Sequence, residues 1–279
     1  MPSSASSFTR TMTPRSLLIT GAAGNVGRLL RPLLRQHYVL KVADIVDFQD
    51  EEGETKIVGD LASGAFCFDA VKDVDAVVHL AGVVGPDFDF EETIDANYRA
   101  VLCLLEACRA RTVGRLVFAS SHHAVGLYPS SGRYDESIAL APDGYYGLSK
   151  AFGEAACGMY ARRYGMRTML LRIGNADPQV VDGRRERIWT SGRDMAQLID
   201  IGLRHPDVEC DIVYAVSNCP NPIFDNRRAE ELGYRPVDFA RENRAADFKQ
   251  LNELTAEAVG MVGGFFAIND LPAPSGRRA

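Results

Sequence analysis

The chain lacks the features that mark several functional classes. No apolar run approaches the length of a membrane span. There is no basic excess: 31 Lys and Arg face 37 Asp and Glu, for a net charge of −6 and a pI near 5.5. Nucleic-acid binders usually carry a basic face, and here only one short arginine cluster occurs. Six cysteines (Cys67, Cys103, Cys108, Cys157, Cys210 and Cys219) form no Cys-x-x-Cys pair, and no histidine spacing suggests zinc. They read as buried free thiols of a reducing, cytoplasmic compartment, with no metal site. No internal repeat, low-complexity block or clear linker interrupts the chain.

What is there has the composition of a soluble globule, 46% hydrophobic and 24% charged over 279 residues. That length holds one large α/β domain, or one domain with a smaller lobe. The first fifteen residues are rich in Ser and Thr, with Arg10 and Arg15 and no acid, a composition faintly like a transit peptide. Without amphipathic periodicity, 1–14 reads as a disordered leader, and Met12 is an alternative start. The tail 272–279 also reads as disordered.

Ser16–Thr20 is a short apolar strand. Gly21-Ala22-Ala23-Gly24-Asn25-Val26-Gly27 follows, then a helical pattern through Leu29, Leu30, Leu33 and Leu34. Strand, glycine turn and helix together form the context of a dinucleotide-binding turn. Gly21 permits the turn, Gly24 lets the backbone approach a pyrophosphate at the helix N-terminus, and Gly27 lets helix pack on strand. A second strand, 39–43, ends at Asp44, 17 residues past Gly27. An acid there accepts both adenosine ribose hydroxyls and repels a 2′-phosphate. No arginine adjoins Asp44, so NAD is expected over NADP. A third strand, 56–58, ends at Gly59-Asp60-Leu61. Asp60 is placed to bond the adenine amine and Leu61 to cover the ring, although a plain turn explains these residues nearly as well. A buried fourth strand, 75–80, ends at Leu80-Ala81-Gly82, where small residues let a cofactor cross.

A long helix over 91–111 comes next, then a fifth strand over 115–119 that runs into Ser120-Ser121-His122-His123. A loop leads to Asp143-Gly144-Tyr145-Tyr146-Gly147-Leu148-Ser149-Lys150, the start of a helix reaching about Tyr164. A sixth strand covers 168–173. The alternation implies a Rossmann-like α/β fold over 15–175, a doubly wound parallel sheet with right-handed crossovers. After Gly174 the pattern loosens. Residues 178–187 are polar and arginine-rich, a helix over 191–204 takes Ser191 as N-cap, and Cys210–Ala215 is a strand. Short helices are expected over 226–233, closed by Gly233, and within 242–258. Residues 176–271 read as a small C-terminal substrate lobe packed on the core.

Tyr146 and Lys150 stand four apart, on one face of their helix. An ammonium beside a phenol favours the phenolate, which makes Tyr146 a candidate proton donor or acceptor near neutral pH. Alone, the same spacing describes an ordinary surface pair.

In order and spacing, Thr20 to Gly27, the Asp44 strand end, Ser121 and Tyr146-x-x-x-Lys150 resemble an extended short-chain dehydrogenase/reductase, of the NAD-dependent epimerase/dehydratase superfamily. A closer resemblance covers most of the chain. The stretches Val117 to Gly126, Pro142 to Lys150, Arg172-Ile173-Gly174, Phe224-Asp225-Asn226 and Leu232-Gly233-Tyr234 are similar to the NAD-dependent uronate dehydrogenases. The resemblance implies hydride transfer from C1 of a hexuronate to NAD+. Ser121 would bond the reacting oxygen, Tyr146 would be the acid/base, and Lys150 would lower the tyrosine pKa and bond the nicotinamide ribose. Asn97 would support this network. Implied cofactor contacts are Gly21, Gly24, Asn25, Val26, Gly27, Asp44, Asp60, Leu61, Leu80, Ala81, Gly82, Asn97, Tyr146, Lys150 and Ile173. Implied substrate contacts are Ser121, His122, His123, Tyr146, Asn175 and Arg184, the last offering a guanidinium to the sugar carboxylate. By analogy with the superfamily, long helices imply a homo-oligomer.

Three positions depart from the uronate pattern. Where the family offers a serine after the fourth strand, this chain has Val83-Val84; His122 stands for the usual Asn, and Asn175 for the usual Ser. Another acidic sugar or a polyol therefore stays open. A sugar-nucleotide epimerase or dehydratase is a rival, countered by two histidines where dehydratases carry an acidic pair. A non-catalytic dinucleotide sensor is a second rival, countered by the intact Ser121, Tyr146 and Lys150. Arg184, Arg185, Arg187 and Arg193 also admit the plainer reading of a solvated or subunit-facing patch.

Overall fold

The computed structural model describes residues 15–273. The leader 1–14 lies outside the described residues, as does the tail apart from Pro272 and Ala273. Among the described residues nine strands occur: β1 (Ser16–Thr20), β2 (Val39–Asp44), β3 (Glu54–Val58), β4 (Ala76–His79), β5 (Arg115–Ser121), β6 (Arg167–Ile173), β7 (Val180–Asp182), β8 (Cys210–Ala215) and β9 (Arg244–Lys249). The helices are α1 (Asn25–Leu34), α2 (Gly64–Ala70), α3 (Phe90–Thr93), α4 (Ala100–Ala110), α5 (Tyr145–Tyr164), α6 (Gly192–Arg204), α7 (Arg227–Glu231) and α8 (Ala256–Gly260). Among the described residues no helix is long and apolar enough to cross a membrane.

Seven strands form one parallel sheet in the order β3-β2-β1-β4-β5-β6-β8. Every residue of β4 and β5 is buried, as expected for strands covered on both faces. Leu30 and Leu34 of α1 pack with Leu198 and Leu203 of α6 on one face. Cys67 of α2, Leu104 of α4 and Cys157 of α5 pack on the other. This is the expected doubly wound α/β fold. Successive strands run outward in opposite directions from β1 and β4, so their carboxyl ends open a crevice between them.

Three local expectations are corrected. Helix α2 was not foreseen, because its seven residues begin with Gly and carry two Phe. The helix over 91–111 is α3, a π-type stretch Ile94–Arg99 and α4 in succession. Within that wider turn Asn97 is buried. The segment 242–258 begins as a strand, β9, paired parallel with β7 in a separate two-stranded sheet, before α8 forms. Its Arg-Ala-Ala-Asp-Phe-Lys sequence favours helix locally, and the distant β7 partner decides otherwise.

A buried ion pair fixes the floor of the crevice. Arg172 of β6 donates from Nε and Nη2 to the two oxygens of Glu154 of α5, both at 2.9 Å. Ser120 at the end of β5 donates to the same carboxylate at 2.5 Å, and Arg172 Nη1 donates to the Tyr214 hydroxyl at 3.2 Å. One carboxylate thus holds β5, α5 and β6 in register just beneath Ser121. Glu154→Gln leaves the guanidinium without its countercharge and should cost about 3–5 kcal/mol, read from the urea midpoint at an unchanged m-value.

Candidate active site

A cleft of about 420 Å3 lies beyond the carboxyl ends of the sheet. Its near wall is the turn after β1. Gly21 has φ +70°, and a Cβ there would lie 2.6 Å from the Ala81 amide nitrogen. A Cβ at Gly27 would run into the Gly21 carbonyl, so both positions require glycine. Gly24 and Asn25 open onto the cleft at the N-terminus of α1, where unpaired amides suit a phosphate anion. Asp44 lies beside this turn, its Oδ2 accepting from the Ala23 amide at 2.9 Å and its Oδ1 from Val46 at 3.2 Å. The nearby Arg31 is engaged elsewhere: it pairs with Glu54 and donates to the carbonyl of Gln49 at 3.1 Å. Arg31 is therefore not free to meet a 2′-phosphate beside Asp44. The residues present fit a dinucleotide.

Of the proposed cofactor contacts, Gly21, Gly24, Asn25, Val26, Gly27, Leu80, Gly82, Tyr146, Lys150 and Ile173 line this cleft, and Asp44, Asp60, Leu61, Ala81 and Asn97 do not. Asp60 caps its own turn, accepting from Ala62 at 2.8 Å, and Leu61 is buried. Asn97 spends its amide inside the protein. Its Oδ1 accepts from Val83 at 2.8 Å, and its Nδ2 donates to Val83 O at 3.0 Å and Ser149 Oγ at 2.9 Å. It ties the loop after β4 to α5 and so presents Val84, which does line the cleft.

The far wall carries the reacting groups. Ser121 ends β5, and Tyr146 and Lys150 stand on the first turns of α5. Ser121 Oγ accepts from the His123 amide at 3.2 Å, which leaves its proton for the Tyr146 oxygen. The Lys150 ammonium lies 5.5 Å from the Tyr146 ring centre and 5.2 Å from that of Phe118, and no carboxylate among the described residues pairs with it. Burial dominates both side chains. It pushes the Tyr146 phenol up to about 12, against the Ser121 hydrogen bond, and the Lys150 ammonium down to about 8. In the protein by itself desolvation is the largest influence on the phenol, and the positive charge of a bound nicotinamide, which acts with Lys150 toward the phenolate, is not yet present.

His122 donates from Nδ1 to the Ile173 carbonyl at 3.0 Å and leaves Nε2 without a partner among the described residues. His123 meets Asp143 at 2.6 Å. Asn175 bonds Asp177 at 2.9 Å and lines the cleft with its own Oδ1 unpartnered.

The arginine cluster divides clearly. Arg185 pairs with Asp182, Arg193 with Asp238 and Arg244 with Glu186. Arg187 donates to the carbonyls of Asn221 and Ser130, both at 2.9 Å. Arg184 lines the cleft, donates from Nη2 to the Val262 carbonyl, and leaves Nε buried without a partner. Among the described residues it has no carboxylate partner, and burial brings its guanidinium down to about 10. A buried, unneutralised guanidinium is chemically matched to an incoming carboxylate.

Sequence reasoning missed the last part of the wall. The segment around Gly263, Phe265 and Phe266 closes the cleft, and the Phe266 ring stacks on His123 at 4.1 Å. The run Gly263-Gly264-Phe265-Phe266 carries neither helix nor strand periodicity, so only the tertiary fold reveals it.

The chain is similar to known proteins in sequence and in fold. Residues 17–177 match the NAD dependent epimerase/dehydratase family. Uronate dehydrogenase of Pseudomonas putida is 40% identical over 264 residues, covering 92% of this chain and 98% of that protein. A crystal structure of a variant uronate dehydrogenase from Agrobacterium tumefaciens, complexed with NAD, aligns with a TM-score of 0.85 at 32% identity, covering 92% of this chain and 98% of that one. Glucuronic acid dehydrogenase of Chromohalobacter salexigens aligns with a TM-score of 0.85 at 34% identity, over 93% and 98% of the two chains. The chain therefore belongs to the NAD dependent epimerase/dehydratase family, and within it is similar to the uronate dehydrogenases over nearly its whole length.

Proposed function

We propose that the protein oxidises a hexuronate of the galacturonate or glucuronate type at C1, passing the hydride to NAD+ and giving an aldarolactone. The observation that carries this reading is Arg184, a buried guanidinium without a carboxylate partner in the same cleft as Ser121, Tyr146 and Lys150. When bound, NAD+ accepts the hydride that leaves the sugar C1. The turn at Gly21, Gly24 and Gly27 and the N-terminus of α1 hold its pyrophosphate, and Asp44 accepts the adenosine ribose hydroxyls. Lys150 donates to the nicotinamide ribose.

The sugar lies with its C1 hydroxyl between Ser121 and Tyr146. Tyr146 takes the hydroxyl proton, and Ser121 donates to the reacting oxygen. With the phenol held up to about 12 in the protein alone, the phenolate forms in company with added positive charge at the cleft. Arg184 grips the remote carboxylate, so that binding energy far from C1 orients the reacting bond. His122, His123 and Asn175 offer polar edges to the hydroxyls. Residues 15–175 form most of the cofactor core, α6 and β8 of the stretch 176–271 join that core, and the rest of the stretch acts as the substrate lobe. A cytoplasmic location fits six free cysteines. A homo-oligomer belongs to the same reading by analogy with the superfamily. The apolar Val84 in the cleft wall favours a second reading, in which the carboxylate sugar differs from both hexuronates in one hydroxyl.

Purified protein mixed with galacturonate or glucuronate and NAD+ should develop the reduced-nicotinamide absorbance. No turnover on either sugar overturns the substrate, and turnover without net NAD+ reduction on a nucleotide sugar overturns the reaction. Asp44→Ala should weaken NAD+ by about tenfold to a hundredfold, the value of about 1.5–3 kcal/mol for hydrogen bonds to a charged acceptor. Comparing kcat/KM for NAD+ and NADP+ checks it, since the variant should also narrow the preference between them.

A further inference from the structure

We propose that Asp143 is a positioning residue that sets the tautomer of His123, and so decides whether His123 Nε2 faces the sugar as a hydrogen-bond acceptor or donor. The inference rests on the proposed uronate reading for the identity of the sugar, and on geometry for the rest.

His123 Nδ1 lies 2.6 Å from Asp143 Oδ2. The ring cannot turn away: it packs against His122 and Phe266 with centroids 4.1 Å from each and meets the edge of Tyr146 at 5.6 Å. About 10% of the side chain stays open, onto the cleft, and Nε2 has no partner among the described residues. The Asp143 side chain is wholly enclosed, at 0% exposure. Its chamber is walled by Gly126, Gly147 and Gly263, where any Cβ would collide with the carboxyl group. Three separate segments thus leave out side chains around one acid. Its Oδ1 has no hydrogen-bond partner among the described residues, so the hydrogen bond this carboxyl group makes to another residue is the one to His123.

The charged and titratable groups that face this pair are Arg184 from across the cleft, His122 beside it and Tyr146 from α5. The C-terminal segment contributes Gly263, Phe265 and Phe266 on the cleft side, and Asp270 in the neighbouring hollow that Asp143 and Tyr146 also line. Burial pushes the Asp143 carboxyl up to about 7. Burial, with Arg184 adding to it, brings His123 down to about 3, so the imidazole stays neutral. One proton is therefore shared near neutral pH, and it belongs to Asp143. Above about pH 7 the carboxylate accepts from Nδ1–H, and Nε2 is an acceptor. Below it the carboxylic acid donates to Nδ1, the ring proton resides on Nε2, and that atom becomes a donor. The acceptor form matches a sugar hydroxyl that donates to it.

Two readouts test this. In the wild-type protein, KM for the uronate should rise about fivefold as pH falls from 8 to 6, the worth of about one neutral hydrogen bond, while KM for NAD+ stays flat. Asp143→Asn should abolish the transition, leaving KM the same at both pH values. His123→Gln, which keeps a polar end near Nε2 but has no tautomer to switch, should abolish it too. A KM for the uronate that does not change in the wild type, or a transition that survives Asp143→Asn, overturns the proposal. Nitrogen NMR of the ring, assigned by His123→Gln, reads the tautomer without turnover and separates this inference from the substrate assignment. The protein should show Nδ1–H above pH 7 and Nε2–H below it, and a single tautomer throughout refutes the switch.

Discussion

Arg184→Gln raises KM for the uronate by about 100-fold to 10,000-fold, leaves kcat within a few-fold, and does not lower the melting temperature. The first effect follows from losing two charge-assisted hydrogen bonds, at about 1.5–3 kcal/mol each. The second follows because Arg184 acts at the far end of the sugar, in ground state and transition state alike. The third is the discriminating one. In the protein without substrate the guanidinium is buried without a carboxylate partner, at a cost to folding that an uncharged amide of similar length removes. A structural arginine such as Arg172, clamped by Glu154, would behave in the opposite way. Steady-state kinetics with thermal unfolding on the same preparation reads all three.

Tyr146→Phe lowers kcat by about 100-fold to 10,000-fold, the range general acid–base groups supply, and leaves NAD+ binding nearly intact. The ring stays, so the packing against His123 and Phe266 stays. The proton acceptor goes. Retained turnover would remove the acid/base role from this residue. In the wild type, oxidation should quicken as pH rises while the phenol releases its proton, because the phenolate is the active base. Above about 8 Lys150 begins to lose its charge, which opposes that gain by withdrawing the neighbouring cation. Tyr146→Phe should lose the rising limb, measured as kcat against pH at saturating NAD+.

The sheet was legible in the sequence because its strands are buried on both faces. Val77 and Val78, or Leu17 to Ile19, read as continuous apolar runs, and each ends at Gly, Asp or Ser where the chain turns toward the cleft. The glycine turn and the Tyr146–Lys150 pair were legible because local spacing sets both geometries, a turn for one and a helix face for the other. Asp143 shows the limit. Its number is 20 away from His123, and no periodicity connects them; the partnership exists because Gly126, Gly147 and Gly263 converge from three segments. The desolvation of the phenol is hidden from the sequence for the same reason. Spacing gives the ammonium beside Tyr146, but burial is a property of the whole fold, and burial dominates. Phe266 and β9 likewise depend on long-range neighbours that their own residues do not announce.

The central claim is that a buried guanidinium selects a carboxylate sugar for oxidation at C1. The most direct measurement is kcat/KM with NAD+ for galacturonate beside galactose, which differ only in that carboxylate. The protein should prefer galacturonate by at least about 100-fold, the lower worth of two charge-assisted hydrogen bonds; equal values for the two sugars, or turnover of galactose alone, would contradict it.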